Sequence, residues 1–443
     1  MNNFSRRTVL KGTLAALALG PALAACGGKD SDSTSGSSAS GSAAGGATLT
    51  YWASNQGTSL DNDKEVLTPI LAEFTKQTGN KVNLEVIGWG DLQTRIQTAV
   101  TSGQGPDVVN IGNTWAVSLQ ATDGFLELGD AEMEAIGGKD KFVETALQTG
   151  GAEGTAPTSV PLYGLAYGLF YNKKMFADAG LKPPTTWEEL VSCAQKLTKG
   201  NVYGMSLAAG SYTENNHFAF INACQNGAEL FDKDGKPTFT GDGVVDGILR
   251  YLDLMQKDKV VNTSNAQYDN GTKSVTDFAK GKAAMILNQN NAVATILSNG
   301  MDISNVGVVP FPAPASAPDK TASHVAGINL SIMKNTKNKD ASLAFMKYMT
   351  SPEVQEKLGT PFNSLPVLKD GKATFSTDPE MLKIFPEIYN TRSKPLPLVP
   401  SEDQFETNVG KAMNNMFAKI ATGGTVTRDE IKAAMQTAQD AIR

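Results

Sequence analysis

Ala47-Thr48-Leu49-Thr50-Tyr51-Trp52, Val82-Asn83-Leu84-Glu85-Val86-Ile87 and Asp107-Val108-Val109-Asn110-Ile111 are three short apolar or alternating runs, each bounded by polar loop residues. Length and pattern are those of strands. Between the first and second, Thr68-Pro69 opens a helix with Ile70, Leu71 and Phe74 on its apolar face, closed by Gly79. Between the second and third, Asp91 caps a helix carrying Leu92, Ile96, Ala99 and Val100, with Gly103 past its end. Strand, helix, strand, helix, strand predicts an α/β fold with a largely parallel sheet. Ligands of such sheets bind at the carboxyl ends of the strands. Those ends carry Trp52 to Gln56, Gly88 to Asp91 and Gly112 to Trp115, so three of the chain's four tryptophans stand where a ligand would.

Toward the N-terminus the pattern changes. Residues 1–11 are basic through Arg6, Arg7 and Lys11, and residues 12–25 are apolar but interrupted by Pro21. A membrane-spanning helix needs about 20 apolar residues, so this segment reads as an export signal, to be set aside from the fold. Leu23-Ala24-Ala25-Cys26-Gly27 resembles the lipobox of bacterial lipoproteins, which makes Cys26 the expected lipidation site and new N-terminus. Ser5-Arg6-Arg7-Thr8-Val9-Leu10-Lys11 resembles the twin-arginine export signal. Val9 stands where that motif usually has Phe, so the general secretory route stays open. Residues 27–46 are nearly all Gly, Ser, Ala, Thr and Asp. Such a stretch buries too little apolar surface to order itself, which predicts a tether with a reach on the order of 25 Å.

Toward the C-terminus, residues 47–443 exceed what one hydrophobic core supports, so two lobes are expected. A second lobe starts near Val160, with an aromatic strand at residues 167–172 and a helix opened by Pro184-Thr185-Thr186-Trp187-Glu188-Glu189. The strand at 283–287 runs into Asn288-Gln289-Asn290-Asn291, and Thr427 with Glu430 boxes the last helix. The formal net charge is −6, with no Lys/Arg block after the signal, which argues against a nucleic-acid partner. Beyond Cys26 there are only Cys193 and Cys224, whose pairing the sequence leaves open.

In this order, several stretches resemble the extracellular solute-binding proteins, family 1, of bacterial ABC importers, the family of maltose-binding protein. They are Leu49 to Ser54, Phe74-Thr75-Lys76-Gln77-Thr78-Gly79, Ala99 through Val109, Leu169-Phe170-Tyr171-Asn172-Lys173, Pro184 to Leu190, Phe278 to Met285 and Val306-Gly307-Val308-Val309-Pro310. The resemblance implies a two-lobed periplasmic-binding-protein type II fold with a hinge and a ligand cleft between the lobes. It places residues 47–162 and about 315–352 in one lobe and residues 163–314 and 353–443 in the other. Crossings fall near Pro161, near Pro310 and near Ser351. It also implies a monomer, lipid-anchored on the outer face of the cell membrane, that delivers a mono- or oligosaccharide to a permease.

A sugar offers apolar C–H faces and a rim of hydroxyls, so its site needs aromatic platforms and planar donor–acceptor side chains. The candidates in the first lobe are Trp52, Ser54, Asn55, Gln56, Trp89, Asn113, Thr114 and Trp115. Tyr163, Tyr167, Glu214, Asn216, His217, Gln289, Asn291, Gly327, Asn329 and Phe362 complete the set. Core packing competes for Trp52, and turn propensity for the amide row. The chain has two histidines and none of the phosphate-loop, zinc-protease or nucleophile-elbow motifs, so no catalytic residue, metal or cofactor is assigned. A glycoside hydrolase needs only two carboxylates and is the alternative from another class. A peptide, polyamine or phosphate ester is the alternative ligand, the last disfavoured by the few Arg or Lys in the loops.

Overall fold

The computed structural model describes residues 46–442, so the export signal, Cys26 and most of the expected tether lie outside the described residues. The three opening runs are strands β1 (Thr48–Ser54), β2 (Lys81–Ile87) and β3 (Val108–Gly112). There follow β4 (Ser159–Leu165), β5 (Tyr167–Asn172), β6 (Tyr203–Ser206), β7 (Ala283–Gln289), β8 (Val306–Val309), β9 (Ser323–His324), β10 (Ala326–Ile332) and β11 (Ser393–Lys394). One sheet runs β2-β1-β3-β10-β4 and another β6-β7-β5-β8. β1 is parallel to β2 and β3, as the alternation with helices requires, and β10 returns antiparallel between β3 and β4. In the second sheet β5 is the reversed strand.

Side chains of β1 alternate between two cores. Leu49, Tyr51 and Ala53 face one, where Tyr51 and Phe74 meet Phe345 edge-on at 5.0 and 5.2 Å. Trp52 faces the other, under helix Trp89–Ser102 with Ile87, Leu92 and Ile96. The second sheet carries its own core, in which Phe218 stacks on Tyr251 at 5.0 Å and helix Glu402–Ala421 contributes Phe405, Val409, Met413 and Phe417. Aromatic burial of this extent dominates the stability of each lobe. Thr427 and Glu430 make the expected reciprocal box at the start of helix Arg428–Asp440. Cys193 and Cys224 are both free and buried.

The chain passes between the cores three times. β4 becomes β5 across Ala166 alone. The second passage lies between Val325, in the core of the second sheet, and Ala326, which opens β10. The third comes after Phe362, since Val354, Leu358 and Phe362 pack into the first core and Leu365 into the second. The second and third passages are therefore later than residues 314 and 352, because Phe311 still packs in the second core and helix Pro352–Gly359 in the first. Asn290 joins two of these passages. Its Oδ1 accepts from Ala166 N at 2.8 Å and its Nδ2 donates to Asn363 O. Of the amide row, it is Asn290 rather than a neighbour that serves the hinge.

Candidate functional site

Asn113–Trp115 form a single tight turn at the end of β3, and the Trp115 indole packs on Ile87, Leu92 and Ile111 with its Nε1 edge turned to the other lobe. The ring is 7% exposed and its Nε1 donates to Glu406 Oε2 at 3.3 Å, across 291 residues of sequence. Trp89, 37% exposed, meets Trp115 edge-on at 5.5 Å and donates its Nε1 to Asn55 O at 2.7 Å. Asn113 donates to Val325 O at 2.8 Å, a second contact between the lobes. Thr114 stands half-buried between them.

From the other lobe, Ser211 caps helix Tyr212–Gln225 and fixes its first turns against the cleft. Tyr167 Oη donates to Glu214 Oε2 at 2.7 Å and lies 2.9 Å from His217 Nδ1. His217 Nε2 lies 3.7 Å from Glu406 Oε1, and its ring packs on His324 at 4.1 Å. Glu214, Tyr167 and His217 are thus joined by hydrogen bonds, as are Glu406 and Trp115 across the lobes, and the two groups approach each other at 3.7 Å. Beside them sits Glu402, 1% exposed, whose carboxyl meets no N–H or hydroxyl donor and, protonated, hydrogen-bonds to Glu406. Asn216 Oδ1, His217 Nε2 and Glu406 Oε1 are buried without a partner. Native interiors leave few such atoms, and a cluster of them needs an explanation. A groove of about 460 Å³ lies elsewhere, between the last two helices, but it lacks convergent buried polar groups of this kind.

Burial sets the electrostatics. It pushes the Glu402 carboxyl well above the ordinary range, with the neighbouring Glu406 and Asp403 carboxylates adding to the effect. Burial also raises Glu214, offset in part by His217 and the Tyr167 hydroxyl, and it lowers His324 well below the usual histidine value. An acid whose folded pKa is raised binds protons more tightly when folded, so it costs stability as pH rises from its unfolded toward its folded pKa. Glu402→Gln removes that cost. Urea midpoints measured from pH 4 to pH 8 should show the variant gaining on wild type as pH rises. The histidines are common to both proteins and largely cancel; a difference independent of pH would contradict the assignment.

Several expected residues lie elsewhere. Trp52 is not at a ligand face, since the Arg95 guanidinium lies 4.4 Å over its ring and pairs with Glu85 at 2.5 Å. Ser54 Oγ is taken up within the sheet by Asn110 at 3.2 Å. Asn55 and Gln56 wrap the buried Asp63, Gln56 N donating to its Oδ1 at 2.8 Å, although Gln56 Oε1 is left without a partner. Asn329 points away from the cleft and holds Thr149 O and Ser159 Oγ at 3.0 Å each. Phe362 and Tyr163 meet edge-on at 5.4 Å inside the first core. Gly327 lies beside the cleft, and a Cβ there would be 2.4 Å from Tyr163 O, so only glycine fits. Gln289 and Asn291 are half-buried at the end of β7. Glu402, Glu406 and His324 belong to the cluster and were not expected.

Residues 30–356 match the family described as bacterial extracellular solute-binding protein. The diacetylchitobiose binding protein DasA of Streptomyces coelicolor is 26% identical over 341 residues, 75% of this chain and 76% of that protein. The GacH receptor of Streptomyces glaucescens, solved unliganded and with acarbose, superposes with a TM-score of 0.75 at 22% identity, covering 90% of this chain and all of that one. A solute-binding protein from Thermotoga lettingae bound with α-D-tagatose gives 0.76 at 22% identity, over 89% and 99%. Such neighbours have the two-lobed maltose-binding-protein fold and are binding proteins, not enzymes. With the family match spanning most of its length, this chain belongs to the bacterial extracellular solute-binding proteins.

Proposed function

We propose that the chain captures a carbohydrate between its lobes and hands it to the permease of an ABC importer. The observation that carries this reading is that Trp115, edge-on to Trp89, meets Glu406 across the lobes, where Glu406 Oε1 and the nearby His217 Nε2 are buried without a hydrogen-bond partner. Sugar hydroxyls hydrogen-bond to such atoms while a ring's C–H face covers an indole. The ligands named for DasA, the GacH receptor and the tagatose-bound protein support the same class. Closure follows from differential affinity, because a sugar touching both walls favours the state in which they meet. Lipid on Cys26 keeps the protein, acting as a monomer, at the outer face of the membrane; this part rests on the motif at residues 23–27.

Thermal denaturation across a panel of neutral mono- and oligosaccharides tests the ligand class. A sugar present at 100 times its dissociation constant should stabilise the protein by about 2.7 kcal/mol and be recovered unchanged. A response confined to amino acids or anions would contradict the carbohydrate reading.

A further inference from the structure

Trp115 and Trp89 do not make one platform. Their ring planes stand 69° apart with centroids 5.5 Å from each other, so a single pyranose lies flat on one of them only. They also stand at different depths. Trp115 follows β3, which borders β10 and the hinge, whereas Trp89 follows β2, the strand at the far edge of the sheet. The first is 7% exposed and the second 37%. Trp89 is still fixed, because its Nε1 donates to Asn55 O, and a fixed aromatic face loses little entropy when a ligand stacks on it.

Beyond Trp89 the surface is hollow. A groove of about 380 Å³, within the range of small-molecule sites, is lined by Leu60, Ile87, Gly88, Asp91, Thr94 and Arg95. Among the described residues only Leu60, Trp89 and Leu297 expose a large apolar side chain, and two of the three border this region. Asp91 and Arg95 cancel in charge, and with Thr94 they offer donors and acceptors to hydroxyls. The glycines flanking Trp89 point the same way. Neither Gly88 nor Gly90 has a positive φ, and a Cβ on either would meet nothing within 4 Å. Gly88 caps helix Trp89–Ser102 without a side-chain hydrogen bond, where Ser, Asp or Asn would supply one, and Gly90 lies in the helix, which disfavours glycine. Nothing in the fold requires either glycine, and together they keep the approach to Trp89 clear.

We propose that the ligand is an oligosaccharide of at least two units, the inner one at Trp115 and the next on the Trp89 face, leading into the groove beside Gly88. This rests on the carbohydrate reading and sets the length that reading leaves open.

The test is calorimetric titration of the full chain with chain-length series: glucose, maltose and maltotriose; glucose, cellobiose and cellotriose; xylose, xylobiose and xylotriose; N-acetylglucosamine with its β-linked dimer and trimer. In at least one series the dimer or trimer should bind about tenfold or more tightly than the single unit. Trp89→Ala should weaken that longer sugar about tenfold or more, and Trp89→Phe, which keeps a platform, by less than about threefold. Gly88→Leu should fill the groove and weaken the longer sugar about tenfold with far-ultraviolet circular dichroism unchanged. If single units bind as tightly as their dimers and trimers in every series that binds, the length inference fails and the carbohydrate reading stands. A length preference that neither Trp89→Ala nor Gly88→Leu reduces would also overturn it, by placing the outer units elsewhere. Should no sugar of any series bind, both fall. The wild-type comparison needs no variant, and Gly88→Leu stands in for Trp89→Ala should the latter not fold.

Discussion

Trp115→Ala is expected to weaken sugar binding by about 30- to 1000-fold, the range that loss of a buried anchor residue worth 2–4 kcal/mol produces. In the proposed site the indole is the platform; it stands edge-on to Trp89 and holds Glu406 Oε2 through Nε1. Its removal takes away the platform and leaves one more buried carboxylate oxygen unpaired. Trp115 also packs on Ile87, Leu92 and Ile111, so the variant should melt lower while still unfolding cooperatively, and titration belongs well below that temperature. Trp115→Phe keeps a ring and loses only the donor, so its loss should be nearer tenfold. Unchanged affinity in Trp115→Ala would remove this residue from the site.

The second large effect falls on stability and leaves binding alone. Arg250 lies on helix Asp242–Gln256 with its guanidinium among amide oxygens, at 2.6 Å from Asn222 Oδ1, 2.9 Å from Asn226 Oδ1 and 2.9 Å from Gln225 Oε1. It also lies 5.3 Å over the Trp187 ring. No carboxylate pairs with it among the described residues; burial pulls its pKa down to about 10, yet it stays charged at neutral pH. Asn222 and Gln225 are fully buried, and Gln225 passes the connection to Thr321 O at 2.9 Å. Arg250→Ala strands these oxygens and should cost about 2–5 kcal/mol, since each buried acceptor left unpaired costs about 1–3 kcal/mol. Arg250→Lys should recover little, because an ammonium does not span three amides in one plane. Urea denaturation reads the loss. A shift below about 0.5 kcal/mol would show the cluster to be ornamental, and a parallel loss of sugar affinity would show that it reaches the cleft.

The α/β alternation was legible from periodicity and from the stops at Gly79 and Gly103, but not the helix starts: the first helix begins at Leu60, capped by Ser59 with Pro69 inside it, and the second at Trp89 rather than after Asp91. That Trp115, Tyr167, Glu214 and His217 lie close together was within reach of the sequence because they stand at strand ends or helix starts, where chain direction already constrains them. Trp52 misled for a local reason: it lies two residues before the end of β1, on the face under helix Trp89–Ser102, where Arg95 reaches over it. Glu402 and Glu406 were hidden for a global one. They share a helix whose apolar residues, Phe405, Val409 and Met413, account for its amphipathic pattern, and carboxylates four apart ordinarily read as a solvated face. Only tertiary packing, with a partner 291 residues away, turns them inward. Asn290 and Asn291 differ likewise in nothing the sequence displays; backbone direction after β7 decides which amide meets the hinge.

The central claim is that ligand is held where Trp115, His217, Glu402 and Glu406 converge between the lobes. Hydrogen–deuterium exchange with and without the most stabilising sugar measures this directly. Slowed exchange is predicted in residues 111–118, 211–219 and 401–409 together, with smaller changes in the outer helix at residues 428–440. Protection confined to residues outside those three segments, in a protein that the same sugar demonstrably stabilises, would contradict the account.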